Sequence, residues 1–79
     1  MGTITHANKL VQAQEIALGD IVPGIDTTRH LVINVKDGRN LVLGHIIRVT
    51  TVEILPSGNH SPITHDTDIR RTERLWIEN

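Results

Sequence analysis

Apolar residues recur along this chain in short runs of period two, punctuated by glycine and proline, which is the pattern of half-buried strands joined by tight turns. The clearest run is His30 to Lys36. Leu31, Ile33 and Val35 fall on one face, and His30, Asn34 and Lys36 on the other, with Val32 the one apolar residue on the polar side. Lys36-Asp37-Gly38 follows and suits a three-residue hairpin loop, a type I turn and then Gly38 in the left-handed conformation. That register sets Ile33 opposite Leu41 and Leu31 opposite Leu43, with Gly44 marking a bend or bulge. A two-residue Asp-Gly turn would set Lys36 against Arg39 and Val35 against Asn40, so the longer loop is the better reading.

Ile46 to Leu55 is the longest strand candidate, and its alternation slips. Ile47 and Val49 share one parity, Val52 and Ile54 the other. A β-bulge at Thr50-Thr51 would restore one apolar face, leave Arg48 and Glu53 to solvent and bend the strand as a curling sheet requires. Pro56-Ser57-Gly58-Asn59 is a turn, and the returning strand His60 to His65 contains Pro62. Proline cannot donate to a ladder, so this strand should lie at an edge or be interrupted there. His65-Asp66-Thr67-Asp68 then reads as a turn, Arg70-Arg71-Thr72-Glu73 as a second, charged turn, and Arg74 to Glu78 as a closing strand carrying Leu75, Trp76 and Ile77.

The first quarter of the chain is ambiguous. Leu10, Ala13 and Ala17 fit a helical stripe, whereas Val11 and Ala13 fit a strand. Gly19-Asp20 before Ile21-Val22 places a tight turn ahead of a new strand, which favours strand, turn, strand, with a short helix over Lys9 to Ala17 as the alternative. Pro23-Gly24 ends the second strand, and a polar connection runs through Asp26-Thr27-Thr28. Residues 1–8 read as a flexible arm or an edge strand. Together these elements predict one mostly β domain over residues 1–79, a small antiparallel barrel or rolled sheet of about five to six strands.

Composition sharpens this expectation. Eleven Ile, seven Val and seven Leu supply nearly all the apolar mass, there is no Phe or Tyr, and Trp76 is the only aromatic residue, a β-branched bias that suits a pleated surface. A chain of 79 residues hides only about 60–65% of its unfolded surface. Without cysteine it has neither disulfides nor thiolate metal sites, so its small core acts alone or is supplemented by self-association. A net charge of −1 lacks the footprint of a strong phosphate-backbone binder. Met1 to His6 is not a basic region followed by an apolar run, and no stretch approaches the ~18–20 apolar residues that span a bilayer. A soluble, cytoplasmic protein with no membrane partner is expected.

Little in the sequence supports catalysis. Of five histidines the closest spaced in the second half are His60 and His65, whose odd separation points the rings to opposite faces of a regular strand, and no carboxylate or cysteine completes a ligand pattern. No metal and no cofactor are therefore assigned. His65, Asp66 and Asp68 beside Thr64 and Thr67 could form an acid-base group, but a hydrogen-bonded turn is the more ordinary reading. Ser57 and Ser61 lie outside any nucleophile motif, and the glycines fall singly at turns and form no phosphate cradle. No catalytic residue is assigned. Arg70, Arg71 and Arg74 form the one basic concentration and could contact phosphates or an acidic protein surface, although Glu73, Glu78, Asp66 and Asp68 surround them and would offset their field. Trp76 is expected in the core, with anchoring of a partner as the alternative. It shares parity with Arg74 and Glu78, opposite to Leu75 and Ile77.

The run Val11-x-Ala13-x-Glu15-Ile16-x-x-Gly19-Asp20-Ile21-Val22, followed by hairpins and a terminal Arg74-x-Trp76-Ile77 strand, resembles small uncharacterised β-barrel proteins of actinobacteria and their phages. The resemblance covers most of the chain and implies a fold and an accessory binding role, and it carries no catalytic residues. The expected function is a non-enzymatic binding module that engages a protein partner, or a second copy, through a barrel edge or loop face. Arg70, Arg71, Arg74 and Trp76 are its partner-binding residues. The alternative is a weak nucleic-acid-binding barrel that uses the three arginines.

Overall fold

Six antiparallel strands organise the residues described, 9–23 and 28–78, in a computed structural model of the protein. They are β1 (Lys9–Gln12), β2 (Ile21–Pro23), β3 (Arg29–Asn40), β4 (Gly44–Ile54), β5 (His60–Arg70) and β6 (Arg74–Ile77). The arm expected over residues 1–8 and the connection over residues 24–27 lie outside the described residues.

Strands β2-β3-β4-β5 form one sheet in that order, and β1 pairs with β6 in a second. Among the described residues a single bridge joins the two, with the Glu78 amide donating to the Ile21 carbonyl at 2.8 Å. The Arg29 guanidinium grips the Glu78 carboxylate through Nε and Nη2, both at 2.7 Å. The result is a mostly β rolled sheet, not a closed barrel. Its core is Val11, Ala13, Ile16, Val32, Ile47, Val49 and Ile77, drawn from both sheets.

The start of the chain resolves as strand, turn, strand. After β1 only a single 3-10 turn forms at Ala13–Glu15, in place of the alternative helix, and the Glu15 carboxylate accepts from the Gln12 amide at 2.7 Å. Gly19 has φ +91°, and Asp20 ties the turn by accepting from the Ala17 amide through its carboxylate at 2.9 Å. The 3-10 turn is pinned to the far end of the chain, since Ala13 N donates to Glu73 O (2.8 Å) and Gln14 N to Arg71 O (3.0 Å).

The central hairpin differs from the expectation. β3 runs through Lys36-Asp37-Gly38 without turning, and the chain reverses at Leu41–Leu43. Leu31 therefore pairs with Val52, not Leu43, and Gly38 with Ile46. The reason lies in Asn40 and Gly44. The Asn40 Oδ1 accepts from the amides of Val42 (2.8 Å) and Leu43 (3.1 Å), and Gly44 takes φ +81°, so these two residues satisfy and close the loop whatever occupies its tip.

The expected bulge exists at the expected level but on the neighbouring strand. Val32 pairs with Thr51 and Asn34 with Thr50, leaving Ile33 as the extra residue of β3. This corrects the sequence reading at Val32 and Ile33, whereas Val35, beyond the bulge, packs against the core as expected. Val32, set apart by parity, is 1% exposed in the core, while Ile33 is 42% exposed. β4 itself needs no bulge. It is a central strand that buries Ile47 and Val49 in the core and also buries Ile46 and Val52, of the opposite parity.

β5 is an edge strand whose register with β4 shifts between the Val52–Thr64 and Ile54–His60 pairs, where Pro62 lies. It then continues through Arg70, so the turn expected at His65–Asp68 is absent. Cross-strand bonds to β4 hold this segment extended. Asp68 accepts from Arg48 at 2.7 and 3.0 Å, and Asp66 accepts from the Thr50 hydroxyl at 2.7 Å.

Candidate functional site

The residues singled out for partner binding separate into two places. Arg70 and Arg71 sit where β5 turns toward β6. Arg74 and Trp76 lie on β6, opposite Gln12 and Leu10 of β1. Trp76 is not in the core. It is 52% exposed beside the half-exposed Leu10, because the parity it shares with Glu78 takes it away from the buried Ile77.

Three segments meet around Arg70 and Arg71. The 3-10 turn contributes Gln14, the β3–β4 tip and the start of β4 contribute Leu43 and His45, and the turn after β5 contributes Thr72. Together they line an open cleft of about 430 Å³. The backbone holds this loop face together, with Arg71 N donating to His45 O (3.5 Å) as well as Gln14 N to Arg71 O. Arg71 is half-buried. Its Nη2 donates to the Gln14 Oε1 at 3.1 Å, while its Nε is buried with no hydrogen-bond partner among the described residues.

The carboxylates expected to offset these arginines are occupied elsewhere. Asp68 is bonded to Arg48, Asp66 to Thr50 and Glu78 to Arg29. The hydrogen bond from Arg48 holds the Asp68 carboxyl below the usual carboxylate range, and the same bond raises Arg48. The bond to Glu78 likewise raises Arg29. Of the four neighbouring acids Asp68 and Glu78 are each neutralised by an arginine outside the loop face, whereas Asp66, bonded to a neutral hydroxyl, and Glu73, without such a bond among the described residues, keep their charge.

Beside this cleft the β3–β4 tip presents Leu41, fully exposed, and Val42, 86% exposed. Sequence reasoning placed both in a strand and missed them. The signal that identifies them is Asn40 followed after three residues by Gly44, the spacing that supplies both an acceptor for the loop amides and a left-handed closing residue.

The acid-base group imagined around His65 is not assembled. Asp66 and Asp68 bond to residues on β4, whereas the His65 ring lies edge-on to His30, with centroids 6.4 Å apart. Among the described residues no group of three His, Asp or Glu side chains is placed to hold a metal ion. No helix of the described residues is long and apolar enough to cross a membrane. Comparison of the chain with protein families, curated proteins and solved structures found no match.

Proposed function

We propose that the chain is a non-enzymatic binding module that engages a protein partner through the loop face made by the β3–β4 tip and the turn after β5. The observation that carries this reading is the pair Leu41 and Val42, two apolar side chains held in solvent on an anchored loop. Neither contributes to the core, and the loop does not need them to turn. Arg70 and Arg71 stand beside them in the cleft that Leu43 and His45 help to line. Such a face suits a partner with an apolar pocket rimmed by acidic groups, where the apolar anchors supply affinity and the guanidiniums orient the approach. The resemblance to small phage-associated barrels favours the same accessory role.

The test is cross-linking capture with the tagged protein and with a Leu41→Ser, Val42→Ser variant. A partner held by the wild type and lost by the folded variant is expected. Equal capture by both would remove the tip from the interface.

A second reading, contact with nucleic acid, draws on Asp68 and Glu78 being paired with Arg48 and Arg29, away from Arg70, Arg71 and Arg74. If all three contact phosphates of a duplex, log K should fall against log salt with a slope of roughly −2 to −3. A flat salt dependence eliminates this alternative.

A further inference from the structure

The core side of the rolled sheet opens into a second cleft, of about 340 Å³, that shares no lining residue with the loop face. Its size falls at the small end of the range of about 300–1,000 Å³ typical of ligand sites. Its wall is graded. Along β5 the residues lining it run His65, Thr67, Ile69, and on β4 Thr51 and Val49 line it opposite His65 and Thr67, with Ile47, in the core, opposite Ile69. Two neighbouring strands thus change from polar to apolar in the same direction, over about 13 Å at the rise of a β-strand. His30 of β3 joins the polar end, its ring edge-on to His65. Ile16 and Leu75 join the lining.

The polar end is supplied with donors that nothing uses. Among the described residues the Thr51 and Thr67 hydroxyls and the His65 ring have no hydrogen-bond partner, and His30 reaches only the Thr28 hydroxyl, at 3.1 Å. No carboxylate and no lysine or arginine lines the cleft. Hydroxyl and imidazole N–H groups without a competing acid recognise an acceptor, and a carboxylate offers the most acceptor capacity in the smallest head group. The apolar end, floored by the buried Val49 and Ile16, accepts hydrocarbon.

The geometry points to this cleft as a binding site for a small amphipathic carboxylate, its head against His30, Thr51 and His65 and its aliphatic body along Val49 and Ile69 toward Leu75. The site is independent of the loop face. A module that binds a protein at one place and a medium-chain acid at the other needs no overlap between the two.

Titration of the ¹⁵N-labelled protein with sodium decanoate, below its micelle concentration, tests the assignment. Saturable amide shifts are expected at residues 30, 49, 51, 65, 67 and 69. A nitroxide carried at the tail of the acid should broaden Ile69 and Leu75 more than Thr51 and His65, a readout that needs no substitution. Thr67→Phe, on an exposed edge-strand position, should fill the middle of the cleft and weaken binding at least tenfold. His30→Ala with His65→Ala should weaken decanoate several-fold and leave decanol unchanged. Arg70→Gln with Arg71→Gln should leave decanoate binding unchanged, which separates this site from the loop face. No saturable shifts, shifts centred on Leu10 and Trp76, or broadening in the reverse order would overturn the proposal.

Discussion

The ladders of β3 with β4 and of β4 with β5 are closed by corners built from opposite kinds of residue. Between β4 and β5 the tip is Pro56-Ser57-Gly58, closed by backbone bonds from Leu55 N to Asn59 O (2.7 Å) and from Gly58 N to Leu55 O (2.8 Å). Between β3 and β4 the tip is Leu41-Val42-Leu43, and the Asn40 side chain does the closing. Each turn contains one glycine with positive φ, Gly58 at +93° and Gly44 at +81°. What the corners share is therefore an acceptor for the loop amides and a left-handed residue. Polarity at the tip is not required. Where a tip is apolar, the choice of side chain is free to answer to something outside the fold, and this is the physical ground of the proposal that Leu41 and Val42 meet a partner.

The shared element should show the largest effect. A Cβ at either Gly44 or Gly58 would meet nothing within 4 Å, so alanine there strains the backbone alone. Gly44→Ala and Gly58→Ala should each cost about 1–3 kcal/mol in urea unfolding. A large cost at Gly58 with none at Gly44 would break the comparison. The acceptor comes next, and here the corners should part. Asn40→Ala removes two backbone bonds and should cost about 1–2 kcal/mol, whereas Ser57→Ala removes one long contact, 3.4 Å, and should cost under about 0.5 kcal/mol.

The same comparison explains what could be read from the residues. Pro56-Ser57-Gly58-Asn59 was legible because proline, glycine and asparagine each contribute a known backbone preference there. The Asn40–Gly44 corner was not, because Asp37-Gly38 is a stronger local signal and three apolar residues look like strand. Ladder pairing overrides that signal, with Asp37 opposite Ile47 and Gly38 opposite Ile46. The site divided along similar lines. Arg70 and Arg71 were visible as neighbours in sequence. The pairing of the nearby Asp68 with another cation was not, since it depends on a register that sets Arg48 opposite Asp68. The meeting of His30 with His65 depends on two ladders and could not be seen before both registers were known.

Gly38 provides the sharpest contrast between the sequence reading and the fold. It sits in β3 without a positive φ, and a Cβ there would lie 3.4 Å from the Ile46 Cδ1, a flexible methyl that can yield slightly. Gly38→Ala should therefore leave stability unchanged or raise it by about 0.5 kcal/mol, by reducing the freedom of the unfolded chain. A turn at Gly38 in the left-handed conformation would reverse the sign, so one denaturation curve distinguishes the two hairpins.

The smallest effect concerns what crosses each ladder. Arg48 faces Lys36 on the β3 side and Asp68 on the β5 side, so only the second pairing is attractive. Because Arg48 holds the folded Asp68 carboxyl below its ordinary value, the Asp68 contribution is fully present above the unfolded carboxylate pKa of about 3.9 and is lost as pH falls through the lower folded value. Melting of the wild type and of Asp68→Asn should accordingly differ most near neutral pH, and the gap should close on acidification below about pH 4. The pair is exposed at Arg48, so the gap should be modest and should shrink in high salt. A gap that stays constant with pH would mean that Asp68 acts through its shape and its contact with Asn40, and that charge does not distinguish the β4–β5 ladder from its neighbour.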